Sequence, residues 1–213
     1  MRPVVFLGPS LPLDEARQIL EADFRPPVKR GDLLHLEGVE MVAIIDGVFL
    51  QSCSVGHREI LSLLNRKVKV IGGGSMGALR AAEMGHYGMI GVGRIYKMYA
   101  SGEVQGDDEV ALVFDPETME PMSEPLVNLR ILLDQAWMAD VIDAGQRAMI
   151  MNEMRAIYYP RRTVTTFLEV ARLAVGDKNA EAFDRFFADN YRDIKKEDAI
   201  TVLKFVKEAY ERR

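Results

Sequence analysis

The chain has a single cysteine, Cys53, in 213 residues. That excludes an internal disulfide and a thiolate metal site, and it suits a reducing cytoplasm. Histidine is also scarce: His35, His57 and His86 are the full set. No stretch approaches the roughly 20 apolar residues of a membrane span. At the N-terminus, Arg2 is followed at once by Pro3-Val-Val-Phe-Leu7, which is too short for a signal peptide and reads as a first strand. Basic charge is not in excess. Lys and Arg number 27 against 32 Asp and Glu, a net charge of −5, which argues against a nucleic-acid surface. Internal repeats and low-complexity segments are absent. What remains is an ordinary globular composition, 48% apolar, with enough hydrophobic side chain for a sizeable core.

One stretch organises the rest: Val68-Lys-Val-Ile-Gly-Gly-Gly-Ser-Met-Gly-Ala-Leu-Arg-Ala-Ala-Glu83. Val68 to Ile71 is apolar and β-branched, Gly72 to Gly74 break it, and Met76 to Met84 is rich in helix formers. The pattern predicts a strand, a tight turn and a helix, with Ser75 where turn meets helix. Free backbone N–H groups and the positive end of the helix dipole lie there, so an oxyanion, carboxylate or phosphate would be stabilised. Three readings fit. Gly73-x-Ser75-x-Gly77 matches a nucleophile elbow. Gly72-x-Gly74-x-x-Gly77 matches a dinucleotide fingerprint, although no acid follows at the expected distance. The third is a plain turn with Ser75 as N-cap.

Taken in order, Val4–Leu7 and Met41–Ile45 read as strands buried on both faces, and Leu13–Ala22 and Gly56–Lys67 as helices. Phe24-Arg25-Pro26-Pro27 cannot be helix and opens a loop, stiffened by the two prolines, that carries Lys29, Arg30 and Asp32. Arg80 and Glu83 are three apart on one helix face and can pair. His86–Gly93 reads as a glycine-spaced loop, followed by a short helix over Arg94–Ala100. The acids Asp107, Asp108 and Glu109 have no histidine nearby, so a capping role or a basic partner suits them better than a metal. A further strand is expected over Val110–Phe114. Beyond a proline-marked break at 115–124, five segments have helical period. Arg161 and Arg162, beside Tyr158 and Tyr159, are candidates for a partner-binding rim.

The expected architecture is α/β: an N-terminal unit, about 1–120, with a mostly parallel sheet, then an all-helical C-terminal region, 121–213. Ser10, Lys29, Asp46, His57 and Ser75 fall at or near strand-to-helix junctions and can converge on one sheet edge, where such sheets place their ligands. A serine nucleophile needs a base. His86 is too close to Ser75 for the usual triad, while His35 and His57 lie upstream. Lys29, stiffened by its prolines and beside Arg30, is the best-placed lysine.

The stretches Val5–Ser10, Pro26–Asp32, Ile44–Phe49, His57–Leu61, Ser75–Glu83, Gly88–Gly93 and Asp107–Val110 together resemble TfuA-like proteins over roughly the first 115 residues. The resemblance implies a partner of YcaO enzymes in peptide backbone thioamidation. Such a partner releases sulfide from a thiocarboxylated ubiquitin-like carrier of the ThiS type and helps YcaO engage its peptide, with no cofactor of its own. It implies a hydrolase-like Ser–Lys pair, carried onto Ser75 and Lys29. The backbone of Gly74, Met76 and Gly77 would line the oxyanion position, and Ser10, Asp46 and His57 would lie around the substrate. Where the family often carries lysine after the histidine of the His57 segment, this chain has Arg58. The alternatives are a non-catalytic adaptor bridging carrier, YcaO and peptide, and a nucleotide-binding α/β protein.

Overall fold

The computed structural model describes residues 2–49 and 53–212. The chain forms two compact units. The first comprises residues 1–107 together with 194–213, and the second residues 108–193.

The first unit is built on a parallel sheet of five strands, β1 (Val4–Phe6), β2 (Asp23–Arg25), β3 (Met41–Ile44), β4 (Lys69–Gly72) and β5 (Ile90–Gly91), in the order β2-β1-β3-β4-β5. Val4 pairs with Val42, Val42 with Val70, and Ile71 with Ile90, so the carboxyl ends of the strands share one edge. β1, β3 and β4 are apolar without alternation because both faces of the sheet are covered. On one face Val4, Phe6, Val42, Ile44 and Val70 pack with Ile60, Leu63, Ala81 and Met84, which lie on α2 (His57–Asn65) and α3 (Met76–Met84). On the other, Val5, Leu7, Ala43, Ile45 and Ile71 pack with Ala16, Ala199, Val202, Leu203 and Val206. Ala16 belongs to α1 (Leu13–Ile19), and the other four partners to the last helix, α9 (Ile194–Glu211). The final helix of the chain thus returns to cover the sheet. A further helix, α4 (Arg94–Ser101), packs against α3 and α9.

Three sequence expectations need correction here. Phe24 and Arg25 were expected to open a loop, but the residues before Pro26 form β2, an edge strand alongside β1. Proline bars helix and disfavours central strands, yet leaves an edge strand free to end there. The glycine-spaced segment before α4 contains the short β5. Val110–Phe114 forms no strand. Asp107–Glu109 is a turn of 3-10 helix, and Phe114 makes only an isolated bridge to Pro121.

The second unit is helical: α5 (Leu126–Met138), α6 (Ala144–Ala156), α7 (Val164–Val175) and α8 (Asp177–Asn190). Its core joins Leu129, Leu132, Leu133, Ile150, Met154, Phe167 and Phe183. The acids that precede it are held by basic side chains. Glu109, 2% exposed, binds Arg130 and lies near Arg155. Asp108 binds Arg162 at 2.5 Å. Arg162 is buried and also donates to the carbonyls of Met154 and Ile157 at 3.0 and 2.9 Å. It is a structural anchor of this unit and not a surface rim residue, because its guanidinium satisfies carbonyls at the end of α6 that the helix leaves unpaired.

Candidate active site

The edge formed by the strands' carboxyl ends gathers the serines and the acid singled out in the sequence. The order reverses between β1 and β3, the position where open sheets leave a crevice. There Asp46, just past β3, accepts three hydrogen bonds from the turn after β1. They come from Gly8 N at 2.9 Å, Ser10 N at 3.1 Å and Ser10 Oγ at 2.6 Å. Ser10 and Asp46 are both 2% exposed. A buried carboxylate with three donors is well satisfied, so this pair fixes the shape of the crevice wall.

Ser75 lies beside it, after β4. The turn beneath it leans on β3: Gly73 N donates to the Ile44 carbonyl and Gly77 N to the Ile45 carbonyl, each at 3.2 Å. Gly74 has φ +73°, a left-handed conformation that glycine adopts without strain. Gly77 allows the close approach of α3 to β3, since a methyl group there would lie 1.7 Å from the Ile44 carbonyl oxygen. Gly72 and Gly74 likewise face the protein, the first against the Gly77 carbonyl and the second against Ile45. At Gly72 and Gly77 the missing side chain lets backbone meet backbone, and at Gly74 it makes room for the Ile45 side chain.

Ser75 is 5% exposed and its side chain does not cap α3. Ser75 thus holds the N-cap position of the plain reading, without the side-chain bond by which a serine caps a helix. Among the described residues its hydroxyl has no hydrogen-bond partner, and the N–H groups of Gly74 and Met76 on either side donate to none. Unpaired polar groups on so little exposed a residue are uncommon, and they are available to bond water or a ligand. Gly77, expected to help line an oxyanion site, uses its N–H on Ile45; that leaves Gly74 and Met76 as the available donors.

No candidate base is hydrogen-bonded to this hydroxyl among the described residues. Lys29 is exposed and makes no hydrogen bond to Ser75 among the described residues. Its loop does reach the same edge. Val28 bridges to Gly47, and a methyl group on Gly47 would touch both Val28 and Met76, at 3.1 and 2.9 Å. The loop is secured by Asp32, which accepts from Lys29 N at 2.9 Å. It is secured also by Glu59, which accepts from Gly31 N at 2.9 Å and from Gly56 N at 3.2 Å. Glu59 was missed in the sequence. It is an acid on the buried side of α2, and that placement was the available signal.

His57 is engaged elsewhere. Its Nε2 lies 2.8 Å from Glu83 Oε2, and Arg80 donates to the same oxygen at 2.6 Å. Arg80 also donates to the Val55 carbonyl at 3.1 Å. This cluster ties the start of α2 to the last turns of α3, two turns beyond Ser75. The His57 side chain is half exposed, so His57→Ala is expected to cost at most ~1 kcal/mol, read as a small shift of the urea midpoint.

One further acid belongs to the site's frame. Asp198, on α9, is buried and accepts from Arg94 N at 2.7 Å and Ile95 N at 2.8 Å. Burial raises its carboxyl above the usual carboxylate range, and the two amides partly offset that. Among the described residues no group of three or more His, Cys, Asp or Glu side chains is placed to hold a metal. Nor is any helix among them long and apolar enough to cross a membrane.

Comparison with curated proteins finds no significant match. Comparison with family models finds one, described as TfuA-like protein, over residues 46–163. The match opens at Asp46, includes the whole Ser75 stretch, and continues through α5 and α6. It extends further into the helical unit than the sequence resemblance did, and it leaves out residues 1–45, where Ser10 and Lys29 lie. With more than half of the 213 residues matched, the chain belongs to the TfuA-like family.

Proposed function

We propose that this protein is a hydrolase of the thiocarboxylated tail of a ThiS-type ubiquitin-like carrier, delivering sulfide to a YcaO enzyme for peptide backbone thioamidation. The observation that carries the reading is the unpaired hydroxyl of Ser75, a residue only 5% exposed, set between the unpaired N–H groups of Gly74 and Met76 in a chain of the TfuA-like family.

In this reading Ser75 Oγ attacks the carbonyl carbon of the thiocarboxylate. The negative oxygen that forms is held by the Gly74 and Met76 N–H groups and the N-terminus of α3. The C–S bond then breaks, sulfide leaves with the serine's proton, and the carrier remains esterified to Ser75. Water attacks the ester, restoring the serine and freeing the carrier as a carboxylate. The net change is one thiocarboxylate and one water to one carboxylate and one hydrogen sulfide. Lys29 is the proposed base. It is exposed in the free protein, and docking of the carrier tail over its loop would remove the surrounding water.

The test is sulfide release from a thiocarboxylated carrier by wild type and Lys29→Ala. A base contributes ~10²-fold or more, so Lys29→Ala should lose at least that much. Equal rates would remove Lys29 from the mechanism. A second reading is favoured by the absence, among the described residues, of any basic side chain hydrogen-bonded to Ser75: an adaptor that docks the carrier carboxylate at this turn and brings it to YcaO without turnover. It predicts carrier binding with no sulfide released.

A further inference from the structure

The turn that carries Ser75 is held on its far side by two segments remote from it in sequence. Val92 N donates to the Gly72 carbonyl at 2.9 Å. A methyl group on Gly73 would lie 2.3 Å from the Val92 carbonyl oxygen and 2.5 Å from Val202 Cγ2 of α9. A methyl group on Gly74 would lie 3.6 Å from the backbone of both Lys195 and Ala199, also on α9. Gly72–Gly74 is thus enclosed between the Val92 backbone and the first turns of α9.

Asp198 connects these two walls. Its carboxyl oxygens take the first two N–H groups of α4, those of Arg94 and Ile95, which the helix itself leaves without partners. Gly93, at φ +99°, packs directly on the carboxyl; a methyl group there would lie 2.4 Å from Asp198 Cγ. The segment Val92–Ile95 is therefore clamped to α9 at one end and to Gly72 at the other. Asp198 sits on the apolar stripe of α9, with Ile194 and Val202 four residues to either side, all buried. An acid in that position serves a specific contact, because burying it without one is costly.

We infer that Asp198 is a positioning residue for Ser75: by fixing Val92–Ile95 to α9 it sets the backbone of Gly72–Gly74 and so the direction in which the Ser75 hydroxyl leaves the turn. The inference makes the last helix, outside the residues matched by the family model, a structural requirement of the site. Its functional half rests on the proposed hydrolase reading; its structural half does not.

The test therefore uses two readouts on the full chain, for Asp198→Ala and Asp198→Asn. Asparagine keeps one side-chain oxygen and so can accept one of the two bonds. In amide hydrogen exchange, Asp198→Ala should speed exchange at Val92, Arg94 and Ile95, and also at Gly73, Ser75 and Gly77, by on the order of tenfold or more. The amides of Ile45 and Asp46, bonded to Phe6, should keep wild-type protection. Asp198→Asn should fall between the two, and it carries the test if the alanine variant does not fold. Faster exchange confined to Arg94 and Ile95, or spread evenly over the sheet, overturns the inference. In sulfide release, kcat should fall on the order of tenfold with KM unchanged, with partial recovery in Asp198→Asn. A wild-type rate in Asp198→Ala overturns the inference. If wild type itself releases no sulfide, the hydrolase reading fails, and the exchange pattern alone decides the role of Asp198.

Discussion

Ser75→Ala is expected to lower sulfide release from a thiocarboxylated carrier by at least about 10³-fold while leaving the fold intact. The size of the loss follows from the role. Without the hydroxyl no ester forms, and only water held near the Gly74 and Met76 amides remains. The intact fold follows from the geometry. A serine that caps a helix costs ~0.5–2 kcal/mol when replaced by alanine, but Ser75 makes no cap bond, so that loss does not arise. The same substitution therefore separates a nucleophile from an N-cap. The nucleophile loses activity at unchanged stability, whereas a cap would lose stability. Activity by sulfide assay and the urea midpoint on the same preparation read both.

The second large effect lies in the helical unit. Glu109→Ala is expected to destabilise the protein by ~3–5 kcal/mol, because it leaves the Arg130 guanidinium buried without its counter-charge. Glu109 and Arg130 are 2% and 8% exposed, and the carboxylate takes both the Nε and a terminal nitrogen of the arginine. Removing the second partner should reverse much of the loss. Glu109→Leu combined with Arg130→Met places apolar groups of similar volume in the same space, and such replacements are near neutral. Urea unfolding of the single and double variants measures this. A single-variant loss under ~1 kcal/mol would mean that the site rehydrates, as surface pairs do.

Much of the sheet was legible because its central strands are apolar runs stopped by glycine or Asp-Gly. Val68–Ile71 followed by three glycines marked β4, and the good helix formers after Ser75 marked α3 from Met76 to Met84. The acid after Met41–Ile45 pointed to the strand edge, where Asp46 indeed holds the turn of Ser10. The edge strands were not legible. β2 is Asp-Phe-Arg and β5 only Ile-Gly, too short for any alternation, and their pairing is decided by the neighbours that offer hydrogen bonds. Val110–Phe114 shows the converse, an apolar run with high β propensity and no strand to pair with. The partner of α9 was equally hidden. Its stripe of Ala199, Val202, Leu203 and Val206 demands burial but does not say against what. The clue passed over was charge on that stripe, at Asp198. At the site itself, glycine spacing identified Ser75, but the same glycines suggested a nucleotide. The packing of Gly72, Gly74 and Gly77 against the protein itself explains why each is glycine without choosing between the two.

In the proposed function Ser75 is an acyl-accepting nucleophile. The most direct measurement is sulfide release under single-turnover conditions, wild type and Ser75→Ala side by side, with acid-quenched mass spectrometry of the protein. Wild type should release one sulfide per carrier. It should also pass through a transient species heavier by the mass of the carrier thiocarboxylate less hydrogen sulfide, and Ser75→Ala should give neither signal. Equal sulfide release by the two proteins, or carrier binding with no release by either, would contradict a nucleophilic Ser75.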